Sequence, residues 1–348
     1  MRVCVLHAAK DLRLEERPEA ALGPHQVRLR FGAGGICGSD LHYYYEGRVG
    51  DFALREPLIL GHEVAGEVIE VGPAVARVKS GDRVAVNPSQ PCWRCRACQA
   101  GRTNLCRRMT FYGSAAVFPH VQGAFQEQLV CCESQCHVVP KSMPYGLAAL
   151  AEPLAVCLHA VRRAGALVGR HVLITGCGPI GALTCIAARY AGAARITVTD
   201  IAPEPLAVAR RVGADETIDV LAEPERIAAY QADKGWFDVA FEASGNPKAL
   251  MTCLDCVRPG GRIVQLGMLP AGELALPLTR LTPKEIDLLG TFRFHDEFGT
   301  AVEALIAGRL DVAPLLTGTF SAAERDAAFA AALDRRRHMK VQLVFEVA

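Results

Sequence analysis

Four cysteines, Cys92, Cys95, Cys98 and Cys106, fall within fifteen residues in a C-x2-C-x2-C-x7-C arrangement. A single loop with that spacing can wrap a tetrahedral ion through four thiolates. Zn²⁺ suits soft sulfur and needs no redox chemistry; an iron–sulfur cluster is the competing use of the same ligands. With all four positions filled by protein, none stays open for a substrate, so the metal reads as structural. Arg94, Arg96, Arg102, Arg107 and Arg108 lie near enough in sequence to offset the two net negative charges of such a centre, and a solvated arginine-rich loop is the equal alternative.

A second set of donors is scattered through Gly35-Ile36-Cys37-Gly38-Ser39-Asp40-Leu41-His42, Gly61-His62-Glu63 and Ala151-Glu152-Pro153. Cys37, His62 and Glu152 would supply a thiolate, an imidazole and a carboxylate, the three-ligand set that leaves a zinc one open position. Glu63 stands beside His62 as a supporting group or an alternative ligand. Taken singly, each has an ordinary explanation as a buried apolar thiol, a satisfied core histidine or a surface acid.

The third pattern is Gly176-Cys177-Gly178-Pro179-Ile180-Gly181, a G-x-G-x-x-G between an apolar strand and a helical stretch. In that context Gly176 permits a tight turn, Gly178 lets backbone approach a pyrophosphate, and Gly181 lets helix pack on strand. The helix N-terminus adds unpaired N–H groups for the anion. Asp200 closes the following strand, where a carboxylate accepts from ribose hydroxyls and repels a 2′-phosphate, so NAD is favoured over NADP.

These donors need two kinds of scaffold. Residues 1–155 read as short strands broken by Gly and Pro, at 27–31, 66–71, 82–86 and 125–131, with no convincing long helix; an antiparallel, barrel-like domain is expected. From 171 the texture changes to apolar strands at 172–174, 196–198, 237–241 and 263–266, alternating with helical stretches at 180–190 and 205–212 that stop at Gly192 and Gly213. That rhythm predicts a parallel α/β sheet. After 290, a helix begins near Asp296 with Phe298, Val302, Leu305 and Ile306 on one stripe. A second opens on the capping box Ser321-Ala322-Ala323-Glu324, and 340–346 reads as a closing strand.

Lys and Arg number 38 against 37 Asp and Glu, a net charge of +1, so no global field is available to hold nucleic acid or an anionic membrane. The richest apolar run, 147–161, carries Glu152, Pro153 and His159 and falls short of a membrane span. Residues 1–10 show no signal-peptide pattern, and a cytoplasmic address is expected. Fourteen Cys in such a chain suggest metal ligands and buried thiols rather than disulfides.

In this order and at these spacings, Gly61-His62-Glu63, the four-cysteine lobe, Ala151-Glu152-Pro153 and the glycine fingerprint resemble the zinc-dependent medium-chain alcohol and polyol dehydrogenases over essentially the full chain. Within that family, residues 34–44, Asn87-Pro88-Ser89, Ser114-Ala115 and Phe118-Pro119-His120-Val121 look nearer the enzymes of a sugar acid than those of sorbitol. The resemblance implies an α/β fold: a GroES-like β-barrel catalytic domain over 1–155 with a zinc lobe at 88–110, a Rossmann doubly wound parallel-sheet NAD domain over 156–288, and a return segment, 289–348. It implies a catalytic zinc on Cys37 and His62 with Glu63 and Glu152, and a structural zinc on Cys92, Cys95, Cys98 and Cys106. NAD, with NADP as the alternative, would touch Gly176, Gly178, Pro179, Ile180, Gly181, Asp200, Ser244, Gly245, Leu266 and Gly267.

By the same resemblance, Ser39 and His42 would carry the alcohol proton outward. Tyr43, His120 and Arg293 would line the substrate pocket, with His120 or Arg293 meeting a carboxylate; Arg48, beside Glu46, reads as a solvated loop charge. The implied reaction is reversible hydride transfer from the C5 hydroxyl of L-idonate to NAD, giving 5-keto-D-gluconate, with sorbitol or xylitol oxidation as the alternative. A homodimer or homotetramer without nucleic-acid or membrane partners is expected. A non-catalytic relative would be expected to lose these ligands, and all are present.

Overall fold

The computed structural model describes residues 1–345; Glu346, the last residue of the expected closing strand, lies outside them. A seven-stranded sheet organises the first half of the chain. Its order runs Cys136–Val139, Arg83–Val86, Glu63–Val71, Gln26–Gly35, Lys340–Val344, Leu316–Ser321, with Gln128–Cys132 also on Gln26–Gly35. All its pairings are antiparallel except that of Leu316–Ser321 with Lys340–Val344. The closing strand therefore returns to the first sheet, pairing Gln342 with Gly35 and Leu343 with Gly34.

A six-stranded sheet follows, in the order Glu216–Asp219, Arg195–Asp200, His171–Thr175, Phe237–Glu242, Val257–Gln265, Asp287–Gly290, every pairing parallel. The strand order reverses direction on either side of His171–Thr175, which opens a crevice at the carboxyl ends of the strands. The helices Pro179–Tyr190 and Pro203–Arg211 each start on a proline, whose fixed φ suits the first helical turn. Gly192 (φ 89°) and Gly213 (φ 109°) stand just past their ends in the left-handed conformation expected of C-terminal stops.

Two helices depart from the expectation that 1–155 lacks them. Gly38–Glu46 is a nine-residue helix whose inward face is Asp40, Leu41, Tyr43 and Tyr44. It escaped the pattern because an acid and two tyrosines, not an aliphatic stripe, fill its buried face. Ala151–Ala164 is fourteen residues long, starts inside 1–155 and takes up the apolar run from 151 to 161. It packs against Pro179–Tyr190 and Glu297–Ile306, burying Leu154, Ala155 and Ala160 completely. Truncating Leu154 to Ala there would cost about 3 kcal/mol through lost burial and the cavity left behind. The capping box at 321–324 forms, with Ser321 N donating to Glu324 Oε2 at 3.1 Å, and a 3₁₀ turn leads into Arg325–Leu333. No helix among the described residues is long and apolar enough to cross a membrane.

Candidate functional site

Cys37 caps the helix Gly38–Glu46, and Glu63 begins the strand Glu63–Val71, so a helix start and a strand start converge. The ligand atoms of Cys37, His62 and Glu63 all lie within 4.8 Å of one another. Asp40, a residue that sequence reasoning gave no role, fixes this arrangement. Fully buried, it accepts from Cys37 N at 2.9 Å through Oδ2 and from Gly61 N at 3.1 Å through Oδ1. Gly61 adopts φ 91°, and a Cβ there would stand 2.4 Å from the Phe125 ring, so only glycine lets the chain pass.

His62 Nδ1 is buried without a hydrogen bond, with Asp40 Oδ1 3.8 Å away. Such an orphaned nitrogen is costly unless it has another partner, and a metal ion is one. Glu63 meets Lys340, whose Nζ donates to Glu63 Oε1 at 2.5 Å and to Ile36 O at 3.1 Å. Glu152, on the first turn of Ala151–Ala164, is buried outside that trio but faces it electrostatically. Burial, with Glu63 and Cys37 adding repulsion against His62, pushes its carboxyl up to about 8. Burial likewise pushes the Cys37 thiol up to about 11, with Glu63 adding to it. Two anionic donors that resist ionisation and an unpartnered imidazole are what a divalent cation would resolve, so the residues fit a zinc.

Of the expected proton carriers, Ser39 is half-buried in the first turn of Gly38–Glu46, and His42 Nδ1 faces Glu46 Oε1 at 3.0 Å one turn on. No hydrogen bond joins Ser39 to His42 among the described residues. Tyr43 is buried, its hydroxyl accepting from Ala115 N at 2.9 Å. Arg293 lies over the Phe111 ring, 4.0 Å from its centroid, and the His62 ring lies 5.4 Å from the same ring. Burial lowers the Arg293 guanidinium to about 10 against the pull of Glu152 and Tyr43. His120 is elsewhere engaged. Its Nε2 accepts from Arg55 N and its Nδ1 donates to Val117 O, both at 2.9 Å, so neither nitrogen remains for a substrate carboxylate.

Cys92, Cys95, Cys98 and Cys106 form a second group within 4.8 Å. Cys95 and Cys98 Sγ are 3.5 Å apart, and Cys106 Sγ accepts from Cys92 N and Arg108 N at 3.3 Å each. Backbone N–H groups of Cys98 and Arg107 lower the Cys95 thiol to about 6, favouring the thiolate a metal needs. A third trio, His159, His295 and Glu297, also comes within 4.8 Å, unnoticed in the sequence. Here Arg162 Nη1 stands 3.2 Å from Glu297 Oε1, His159 Nδ1 3.0 Å from the same oxygen, and Asn104 Nδ2 bridges His159 Nε2 and Phe292 O. The guanidinium already supplies the cation, so this trio is a hydrogen-bonded lock joining the cysteine lobe to the segment that carries Arg293.

In the crevice, a Cβ at Gly176 would stand 2.6 Å from Ser244, one at Gly181 1.9 Å from Gly176 O, and one at Gly178 2.9 Å from the Arg335 guanidinium. Pro179 and Ile180 form the first turn of the helix that Gly178 caps. Asp200 Oδ2 accepts from Cys177 N at 2.6 Å, closing the turn. Glu242, fully buried at the end of Phe237–Glu242, was not foreseen. Its carboxylate accepts from Ser244 N and Gly245 N, and its carbonyl from Leu266 N and Gly267 N at 2.8 Å each, so one residue aligns both expected cofactor-facing turns. The glycine turn, the helix N-terminus beside it and the carboxylate fit a dinucleotide.

The comparisons agree with this geometry. The alcohol dehydrogenase GroES-like domain matches residues 23–141, and the zinc-binding dehydrogenase domain matches 179–307. L-Idonate 5-dehydrogenase (NAD(P)(+)) of Escherichia coli (strain K12) is 44% identical over 90% of each chain. Sorbitol dehydrogenase of Bacillus subtilis (strain 168) is 36% identical over 99% of this chain and 97% of its own. The crystal structure of the Escherichia coli L-idonate 5-dehydrogenase superposes with a TM-score of 0.94 at 40% identity, covering 99% of this chain and 98% of that one. The structure of 2R,3R-butanediol dehydrogenase from Bacillus subtilis gives 0.88 at 29% identity, covering 99% of each. With full-length identity of this order laid over two cysteine-bearing donor clusters and a dinucleotide crevice, the chain belongs to the zinc-dependent medium-chain dehydrogenases.

Proposed function

We propose that the enzyme oxidises the C5 hydroxyl of L-idonate reversibly to 5-keto-D-gluconate with NAD. The observation that carries this reading is Arg293. It has no carboxylate partner among the described residues, yet it is half-buried against the Phe111 ring, within the electrostatic reach of Glu152 and Tyr43. A neutral polyol needs no such cation, whereas a sugar acid brings the carboxylate that a buried guanidinium lacks. Arg293 also holds φ 52°, a left-handed backbone that costs a non-glycine residue about 1 kcal/mol and persists where the surroundings demand it. Oxidation of sorbitol or xylitol is the second reading, favoured by the identity to the Bacillus subtilis sorbitol dehydrogenase.

Cys37 and His62, with Glu63 or Glu152, would hold the catalytic zinc, and Cys92, Cys95, Cys98 and Cys106 the structural one. When bound, the catalytic zinc supplies Lewis acidity at the reacting hydroxyl and NAD accepts the hydride. The chain's own residues do the rest. Asp40 holds the backbone at Cys37 and Gly61 so that both donors face one point. Lys340 donates to Glu63 and holds it in place inside the protein. Ser39 Oγ takes the hydroxyl proton and His42 Nε2 passes it outward, with solvent bridging the two, while Glu46 holds the imidazole from its other nitrogen. Arg293 and Tyr43 orient the substrate. Asp200 receives the adenosine ribose and disfavours a 2′-phosphate.

In this reading the catalytic domain spans 1–155 and 289–348, the NAD domain 156–288, and the protein works in the cytoplasm as a homodimer or homotetramer. The open edge offered by the outer strand Asp287–Gly290 supports the association. The test is NADH- and NADPH-dependent reduction of 5-keto-D-gluconate beside fructose, with the reverse reactions on L-idonate and sorbitol. A preference of orders of magnitude in kcat/KM for ketogluconate with NADH is expected. Preference for fructose and sorbitol would overturn the substrate assignment and leave the zinc chemistry standing.

A further inference from the structure

Residues 334–339 link the helix Arg325–Leu333 to the strand Lys340–Val344, and both of those elements pack with the first sheet. Yet Arg335 from this link reaches the glycine turn of the other sheet. A Cβ placed on Gly178 would stand 2.9 Å from Arg335 Nη1 and 3.7 Å from its Cζ, and nothing else lies within 4 Å. The guanidinium makes no hydrogen bond and no ion pair among the described residues. The adjacent acid, Asp334, is turned to Arg337 Nε at 3.7 Å and to Arg336 N at 3.2 Å. An unpaired cation thus rests beside the N-terminus of Pro179–Tyr190, the positive end of a helix twelve residues long. Two positive poles side by side repel one another until an anion comes between them.

We propose that Arg335 is a cofactor-binding residue, donating hydrogen bonds to the pyrophosphate of the dinucleotide seated on residues 176–181. This rests on the assignment of NAD as the cofactor. The backbone N–H groups of the turn hold the pyrophosphate from the nucleotide-domain side, and Arg335 holds it from the catalytic-domain side. Dinucleotide binding therefore pins the two domains across the crevice. The same link leads five residues on to Lys340, the counter-ion of Glu63, so one short segment serves the cofactor and the donor cluster together.

The test is binding rather than turnover. The zinc-loaded protein is titrated with NADH by fluorescence, and with ADP-ribose and adenosine by calorimetry. Loss of one charge-assisted contact in Arg335→Ala is expected to weaken NADH and ADP-ribose by about tenfold and to leave adenosine, which has no phosphate, unchanged. Arg335→Lys should fall between, and Arg336→Ala, which removes a neighbouring exposed charge, should match wild type. Wild-type affinity for ADP-ribose in Arg335→Ala overturns the proposal. So does an equal loss for adenosine, or an equal loss in Arg336→Ala, which would reveal a general field instead of a contact. Failure of the wild type itself to bind NADH would instead remove the cofactor assignment, and the proposal with it.

Discussion

Lys340 Nζ donates to Glu63 Oε1 at 2.5 Å, tying the last described strand to the residue next to His62. Both side chains are at least 97% buried, so each is the other's remedy for lost hydration. Removing one partner of such a pair costs about 3 kcal/mol or more because the survivor is left charged and unpaired. Lys340→Met is therefore expected to destabilise the chelator-treated protein by that amount in urea unfolding. The double variant Lys340→Met/Glu63→Gln should recover most of it. A single variant as stable as wild type would show that the pair is not ionised.

Arg293 gives a prediction about selectivity. In Arg293→Ala, KM for 5-keto-D-gluconate should rise about 10- to 100-fold, the range for losing a charge-assisted contact to a carboxylate, while KM for fructose changes little. Arg293→Lys keeps the charge and loses the planar fork, so it should recover only part of the loss. Equal effects on both substrates would mean that Arg293 shapes the pocket without reading the acid.

The parts of the site read from the sequence were those whose chemistry fixes a spacing. The four cysteines share one loop, and G-x-G-x-x-G binds the turn to the helix that follows it. Cys37 and His62 were legible as a set only through the family resemblance, with Glu152 as the third donor and Glu63 as the alternative, and the structure gathers Glu63 rather than Glu152 within 4.8 Å of both. What stayed hidden was support from far along the chain. Lys340 looked like one residue of a closing strand, and nothing local ties it to Glu63, 277 residues away. Glu242 looked like an ordinary strand end, and Asp40 like a polar residue in a motif, until their carboxylates were seen to hold turns together. His120 misled in the opposite direction. Its type suited an anion pocket, but backbone groups at Arg55 and Val117 consume both ring nitrogens.

The two cysteine-bearing clusters predict different consequences of losing metal. Elemental analysis should find two zinc ions per chain. Cys98→Ser should lower this to one and lower the unfolding midpoint, since a loop wrapped around four sulfurs has little other core. Cys37→Ser should also retain one zinc but stay near wild-type stability while losing activity. If both variants lose stability equally, the division into a structural and a catalytic ion is wrong.

Asp200 has a structural task besides its proposed contact with the ribose. Its carboxylate accepts from Cys177 N at 2.6 Å and from Ile201 N at 2.7 Å, so it shapes the turn that receives the pyrophosphate. Asp200→Ala should lower the kcat/KM preference for NADH over NADPH by about tenfold or more, mostly through weaker NADH binding. An unchanged ratio would remove Asp200 from cofactor selection.

The lock formed by His159 and Glu297 predicts how the protein responds to acid. Burial works against ionising Glu297, but hydrogen bonds from His159 and from the backbone N–H of His295 outweigh it and hold the carboxyl down at about 2. In the unfolded chain the same group titrates at about 4.3. A carboxyl with a depressed folded value stabilises fully above the unfolded pKa and loses that contribution as pH falls toward the folded one. Unfolding midpoints of wild type and Glu297→Gln should therefore differ most above pH ~5 and converge as pH drops toward ~2. Arg162, which shares Glu297 Oε1 with His159 and also meets Asp296 Oδ1 at 2.6 Å, should contribute through the same window, so Arg162→Gln should shift the acid limb in the same direction and less far. A gap between wild type and Glu297→Gln that stays constant from pH 7 to the acid limit would mean that packing, not the ionised carboxylate, holds the cysteine lobe to the arginine-bearing segment.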